Sequence, residues 1–169
     1  MGTYKRFEDL PAWKDAARLY VSIEDLVKDN AFKNHGDMRD QLLRATLSIS
    51  NNIAEGFERG STNDLIRFIY YARGSAGEVR SMLQVMSGSQ RFSHLKSQIS
   101  DLKSPAESIS RQLRGWVDQL QNSDIAGQRH LNDASRKSYD QRKSADAFNE
   151  LLERARKGEK VEWGPMPDD

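Results

Sequence analysis

The sequence predicts an all-α fold, an antiparallel up-down-up-down four-helix bundle followed by a polar, partly helical C-terminal tail. Three observations lead there. Apolar residues recur at three- and four-residue steps through four successive stretches. Each stretch is bounded by residues that start or stop helices. Beyond residue 123 large apolar residues become scarce, and Ser, Arg, Lys and Asp dominate.

The first helix is expected to start at Asp9 as N-cap, with Pro11 in the opening turn, where backbone N–H groups have no partner in any case. Leu10, Trp13, Ala17, Tyr20, Ile23 and Val27 form its stripe, and Asn30 to Gly36 reads as a connection. Asp37 is expected to cap a second helix that stops at Gly56. Met38, Leu42, Ala45 and Ile49 point inward there, with Asn52 in the next core slot. A buried amide in that slot fixes register and assembly state, or alternatively meets a ligand.

Ser61 followed by Asp64 is a carboxylate variant of a capping box and opens the third helix. Leu65, Ile69, Ala72, Ala76, Val79, Leu83 and Met86 follow without interruption up to Gly88. The fourth helix carries Leu95, Ile99, Leu102, Ala106, Ile109, Leu113, Trp116 and Leu120. Such sustained heptad-like spacing favours shallow, left-handed packing. Pro105 lies inside the fourth pattern and is expected to kink or break it. The connections are short, which makes sequential helices antiparallel neighbours.

The chain therefore divides into a bundle domain over 1–123 and a tail over 124–169. Asp124 to Asp146 has too little apolar area to offset its ordering entropy and is expected to be mobile or loosely docked. A short amphipathic helix at about 145–157 follows, with Phe148, Leu151, Leu152 and Ala155 on one face. Val161 to Pro167 cannot continue a helix, and there is no internal repeat.

Charge and composition narrow the function classes. The 26 basic and 25 acidic side chains nearly cancel, so bulk charge does not argue for nucleic acid and any such surface must arise locally. With no cysteine, disulfides and thiolate metal sites are excluded. The N-terminus lacks the apolar core of a secretion signal, and no apolar run is long enough to cross a membrane, so a cytoplasmic protein without membrane contact is expected. His35, His94 and His130 fall at helix ends or loops, and no Glu-x-x-His pair occurs, so no metal or other cofactor is expected. No nucleophile–base–orienter set and no glycine-rich phosphate loop is visible, hence no enzyme is expected. Glu55 and Glu58 could serve as an acid–base pair, but Glu55 stands at ion-pair spacing from Arg59 on what reads as a surface.

The second and third helices carry more apolar surface than one stripe requires. Leu43, Leu47 and Ala54 lie off the inward stripe, and Leu65 to Tyr71 places Ile66, Phe68, Tyr70 and Tyr71 nearly all round the helix. The long rings either cover neighbouring helices or form a subunit interface. The interface is favoured, with Leu43, Leu47, Ile66, Phe68, Tyr70 and Tyr71 as its candidates. In Arg73-Gly74-Ser75-Ala76-Gly77, two glycines within a helix imply close approach of a neighbouring helix, another subunit or a ligand.

The stretch MRDQLLRATLSISNNIAEGFERGSTNDLIRFIYYARGSAGEVRSML, preceded by FEDLPAWKDAARLY, resembles the four-helix-bundle proteins encoded by intervening sequences in bacterial 23S ribosomal RNA genes. The matching elements are Phe7, Leu10 and Trp13, Arg39 with Gln41, Ser48 to Gly56 with Arg59, and Ala72 to Glu78. Ile109 to Leu113 and Asn122 to Ile125 match more weakly, and the likeness spans about residues 5–125. Pro105 and the long polar tail depart from the pattern. The resemblance implies a barrel-like homopentamer. More distantly it reaches the accessory variability protein of diversity-generating retroelements, which implies nucleic acid and a reverse transcriptase as partners.

Two functions follow as expectations. The first is a non-catalytic oligomeric scaffold binding RNA or a protein–RNA complex through Arg39, Arg44, Arg67, Arg73, Arg80, Arg111 and Arg114. Symmetric assembly would repeat these cations as rings, and their phosphate contacts would be salt-sensitive. Against this, the arginines can pair with Asp40, Asp64, Glu78 and Glu107 on ordinary solvated faces. The second is a protein-interaction adaptor without nucleic acid, docking a partner through Phe148, Leu151 and Leu152 as a helix in a groove.

Overall fold

The computed structural model describes residues 4–122 and 133–157. Among them the secondary structure is helical: α1 is Pro11–Leu26, α2 Gly36–Glu58, α3 Thr62–Ser87, α4 Lys96–Gln121 and α5 Asp133–Arg156. The described residues fall in two units, one holding α1 to α4 and the other α5. In the first, α2 packs on α3, α3 on α4, and α1 on both α2 and α4, around one core.

Pro11 decides where α1 begins. Proline disfavours the α region for the residue before it, so Leu10 is extended and becomes the N-cap, without a side-chain cap bond. Asp9, expected as the cap, instead ends a single 3₁₀ turn, Phe7–Asp9. The buried stripe of α1 is Ala12, Ala16, Leu19, Ile23 and Leu26, while Trp13, Ala17 and Tyr20 are half-buried at its margin. Small alanines take the contact line, and the bulky rings sit half-buried beside it. Trp13 meets Phe7 edge-on at 5.3 Å.

α2 starts two residues earlier than expected, with His35 rather than Asp37 as N-cap, and runs through Gly56. Gly56 does not stop the helix; it is buried against α3. A Cβ added there would lie 2.7 Å from the Phe68 Cβ, so only glycine permits this approach. The chain turns at Gly60, whose φ of +73° suits glycine. Ile53, not Asn52, fills the next core slot, and Asn52 is half-buried at the edge. Its Nδ2 donates to the Ser48 carbonyl at 2.7 Å and to Ser48 Oγ at 2.9 Å.

Ser61 caps α3 as its spacing predicts, accepting from the Asp64 N–H at 3.1 Å. Leu65, Ile69, Ala72, Ala76, Val79, Leu83 and Met86 are all buried. Gln41 to Glu78, Ser48 to Ser75 and Gly56 to Phe68 are cross-helix contacts whose numbers run in opposite directions, so α2 and α3 are antiparallel.

Pro105 does not break α4, which is continuous from Lys96 to Gln121. The carbonyl that loses its bond belongs to Asp101, an exposed residue, so water can replace the missing partner. Val117 takes the core slot assigned to Trp116, which is half-buried. A 3₁₀ segment, Gln90–Leu95, precedes α4.

The α1–α2 and α3–α4 connections meet at one end of the bundle. Phe32 and Phe92, both buried, have ring centroids 5.1 Å apart. Asp29 Oδ1 accepts from the Ala31 N–H at 2.7 Å and pairs with His94 Nε2 at 3.0 Å. The Ala31 N–H first, and His94 second, hold the Asp29 carboxyl below its ordinary range.

α5 is longer than the expected helix at about 145–157; its N-terminal half includes Arg136, Lys137, Arg142 and Lys143, residue types that favour helix even without an apolar face. Arg156 pairs with Glu153 one turn away. The remaining tail expectations, for 124–132 and for Val161 to Pro167, lie outside the described residues.

Gly56→Ala should lower stability by about 1–3 kcal/mol through overpacking. Gly115→Ala, where an added Cβ meets nothing within 4 Å, should raise it by up to about 1 kcal/mol, as read from denaturant midpoints. Because the folded-state pKa of Asp29 is depressed, its stabilisation is present above the ordinary carboxylate pKa and is lost as pH falls through the folded value. Thermal melting of Asp29→Asn should therefore fall less steeply than wild type between about pH 5 and about pH 3.

Candidate partner-binding surface

The outward side of the α2–α3 pair follows from how the two helices lock together. Ser75 Oγ donates to Ser48 Oγ at 3.0 Å, and Gln41 Nε2 donates to Glu78 Oε1 at 3.0 Å. These bonds turn Ser75 and Glu78 toward α2. On the other flank of α3, Lys103 from α4 donates to Gln84 Oε1 at 3.0 Å and approaches Ser87 Oγ at 3.5 Å. With both flanks fixed, helical spacing sorts the rest of α3. Tyr71, Gly74, Glu78, Ser81 and Val85 form an outer stripe at 3-4-3-4 steps. Tyr70, Arg73, Gly77, Arg80 and Gln84 form a second ridge beside α4 at 3-4-3-4 steps.

Of the candidate interface residues, Leu47 is 41% exposed, Tyr70 46% and Tyr71 54%. Leu43 and Ile66 are half-buried and pack against the core. Phe68 is buried within the protomer: Tyr71 meets it edge-on at 5.5 Å, and Arg59 and Arg67 lie over its ring at 4.7 and 5.5 Å. The reading in which long rings lie over their own neighbours therefore describes Phe68. Val85, 65% exposed, and Val21, 55% exposed, escaped the sequence reading. Val85 stands on the stripe of Tyr71, and that spacing was the available signal.

The two helix glycines distinguish the remaining explanations. An added Cβ at Gly74 or Gly77 meets nothing within 4 Å, so no neighbouring helix of the bundle approaches there. Their cost to the helix, about 1 kcal/mol each, is not repaid by packing at those positions inside the described protomer.

Ion pairs divide the seven candidate arginines. Arg39 pairs with Asp40 at 2.9 Å, Arg67 with Asp64 at 2.8 Å, Arg111 with Glu107 at 2.9 Å and Arg114 with Asp118 at 3.9 Å. Arg44, Arg73 and Arg80 have no ion-pair partner among the described residues. Arg73 is half-buried, its guanidinium lies 5.7 Å from the Tyr70 ring centroid, and its buried Nε has no hydrogen-bond partner among the described residues.

Glu55 is held by Arg59, which donates from Nε at 3.2 Å and Nη2 at 2.6 Å; this bond raises the Arg59 pKa. His35 stands at the N-cap position of α2 without a side-chain cap bond, His94 is bound to Asp29, and His130 lies outside the described residues. Among the described residues, no three His, Asp or Glu side chains converge as a metal set, and no helix is long and apolar enough to cross a membrane. On α5, Phe148 is 53% exposed and Leu151 half-buried. The Leu152 side chain lies outside the description.

Comparison with solved structures finds a 1.70 Å crystal structure of a protein with unknown function from the S23 ribosomal protein family of Bacteroides thetaiotaomicron VPI-5482. It is 22% identical, with a TM-score of 0.56, over 63% of this chain and 97% of that one, a likeness that shows the fold alone. No curated protein matches the chain. The profile of the 23S rRNA-intervening sequence proteins matches residues 8–115, which take in the bundle from before α1 to most of α4. With that match over more than half its length, the chain belongs to the 23S rRNA-intervening sequence protein family.

Proposed function

We propose that this protein is a non-catalytic, self-assembling helical scaffold that binds RNA or a protein–RNA complex. The observation that carries the assembly is the outer stripe of α3. Tyr71 and Val85 are exposed there, Gly74 leaves the backbone bare between them, and Leu47 of α2 is exposed as well. A second copy seated on this stripe would bury those side chains and supply the close backbone contact that the glycine permits. A closed ring of five copies is the assembly the family resemblance favours.

The RNA half rests on the three arginines without carboxylate partners, which a ring would repeat around its axis. The family's name also ties these proteins to a ribosomal RNA gene. Glu55 is committed to Arg59 and His94 to Asp29, which supports the non-catalytic reading. The adaptor reading, with Phe148, Leu151 and Leu152 as docking residues, has the exposure of Phe148 in its favour. The cytoplasm is the compartment this proposal assigns.

Light scattering at micromolar concentration should give a multiple of 19.3 kDa, with five-fold expected. Tyr71→Glu combined with Val85→Glu should return the monomer while leaving the helical circular dichroism intact. A wild-type protein that stays at 19.3 kDa throughout contradicts self-assembly.

A further inference from the structure

We propose that the ridge of Tyr70, Arg73, Gly77 and Arg80 along α3 is a binding site for single-stranded RNA. The inference rests on the RNA reading above and assigns it to one place. The four residues follow one another at 3-4-3 spacing and share one line on the helix. Arg73 and Arg80 are two turns apart, about 10 Å along the axis. Gly77 lies between them with open space beyond its Cα, so nothing stands in the gap.

The charge on this ridge is uncompensated. Arg39, Arg67, Arg111 and Arg114 each pair with a carboxylate on their own helix, whereas Arg73 and Arg80 pair with none among the described residues. The nearby acids are engaged elsewhere: Glu78 accepts from Gln41 across the α2 seam, Glu107 holds Arg111, and Asp118 faces Arg114. The Nε of Arg73 is buried and without a hydrogen-bond partner among the described residues, so no carboxylate or carbonyl holds that edge of the guanidinium.

Tyr70 completes the site. Tyr70 is 46% exposed, and the Arg73 guanidinium lies 5.7 Å from its ring centroid. An exposed ring beside unpaired arginines is the combination that holds an unpaired base by stacking and its backbone by charge. A duplex keeps its bases stacked on one another, so the ring gives the ridge a preference for single strands. The contacts are to phosphate and to the base face, so the site has no strong sequence preference.

The test is fluorescence anisotropy of the full chain with a labelled oligouridylate, titrated over salt. Arg80→Ala should weaken binding several-fold and lower the salt slope by about one. Gly77→Glu, which puts a carboxylate between the two guanidinium groups where a Cβ meets no atom, should weaken it at least about tenfold with the melting temperature kept. Arg111→Ala, already neutralised by Glu107, should stay within about twofold of wild type. If wild type binds and both ridge variants bind equally well, the ridge is wrong while the RNA reading stands. If wild type does not bind, the RNA reading fails and the ridge with it. Tighter binding of a duplex of the same length, or displacement by a polyglutamate peptide at comparable concentration, also overturns the assignment.

Discussion

At Gly56 the backbone of α2 comes so close to the Phe68 Cβ that no side chain fits between them, and much of the bundle's surface follows from that approach. It fixes the separation of α2 and α3 at the turn between them. Further along, the Ser48–Ser75 and Gln41–Glu78 bonds keep the same antiparallel register. Once α3 is held in that rotation, its buried stripe from Leu65 to Met86 must face the core, and the residues opposite it must face outward. Phe68, which sequence alone leaves free to sit in an interface, is consumed by this contact and stacked beneath Arg59 and Arg67.

The glycines of this chain therefore do different work. Gly56 is demanded by packing inside the protomer, and Gly60 by its positive φ. Gly74 and Gly77 are demanded by neither, yet they sit in the middle of a long helix where alanine would be more stable. Each also lies between side chains with something to offer a partner. Gly74 stands between Tyr71 and Val85 on one stripe, and Gly77 between Arg73 and Arg80 on the next. A single helix thus carries two adjacent surfaces of different chemistry, one with the exposed Tyr71 and Val85 and one cationic, separated by about a quarter of a turn.

The regular parts of the fold were legible because their cause is local. An uninterrupted 4-3-4-3 pattern from Leu65 to Met86 leaves one way to bury a helix, and the structure uses it. Ser61 and Asp64 marked the start of α3 for the same reason, since capping needs only residues three apart. What could not be read depended on the other helices. The rotation of α1, set by Ala12 and Ala16 at its contact line, cannot be told from a stripe containing Trp13 and Tyr20 without knowing what packs against it. The burial of Gly56 depends on Phe68, twelve residues on. The tolerance of Pro105 depends on Asp101 facing water. The candidate site was legible only as a surplus of apolar and basic residues; which arginines are neutralised and which ring is buried required the three-dimensional neighbours.

In the proposed assembly the outer stripe of α3 is open in the protomer and covered by a second copy. The chain has no cysteine, so one introduced thiol reports its own surroundings. The most direct measurement is the maleimide modification rate of Gly74→Cys as protein concentration rises, with Ser100→Cys on the exposed side of α4 as reference. Gly74→Cys is expected to react as fast as the reference in dilute solution and to become progressively protected as assembly forms, while Ser100→Cys does not change. Equal, concentration-independent rates at both positions would contradict it.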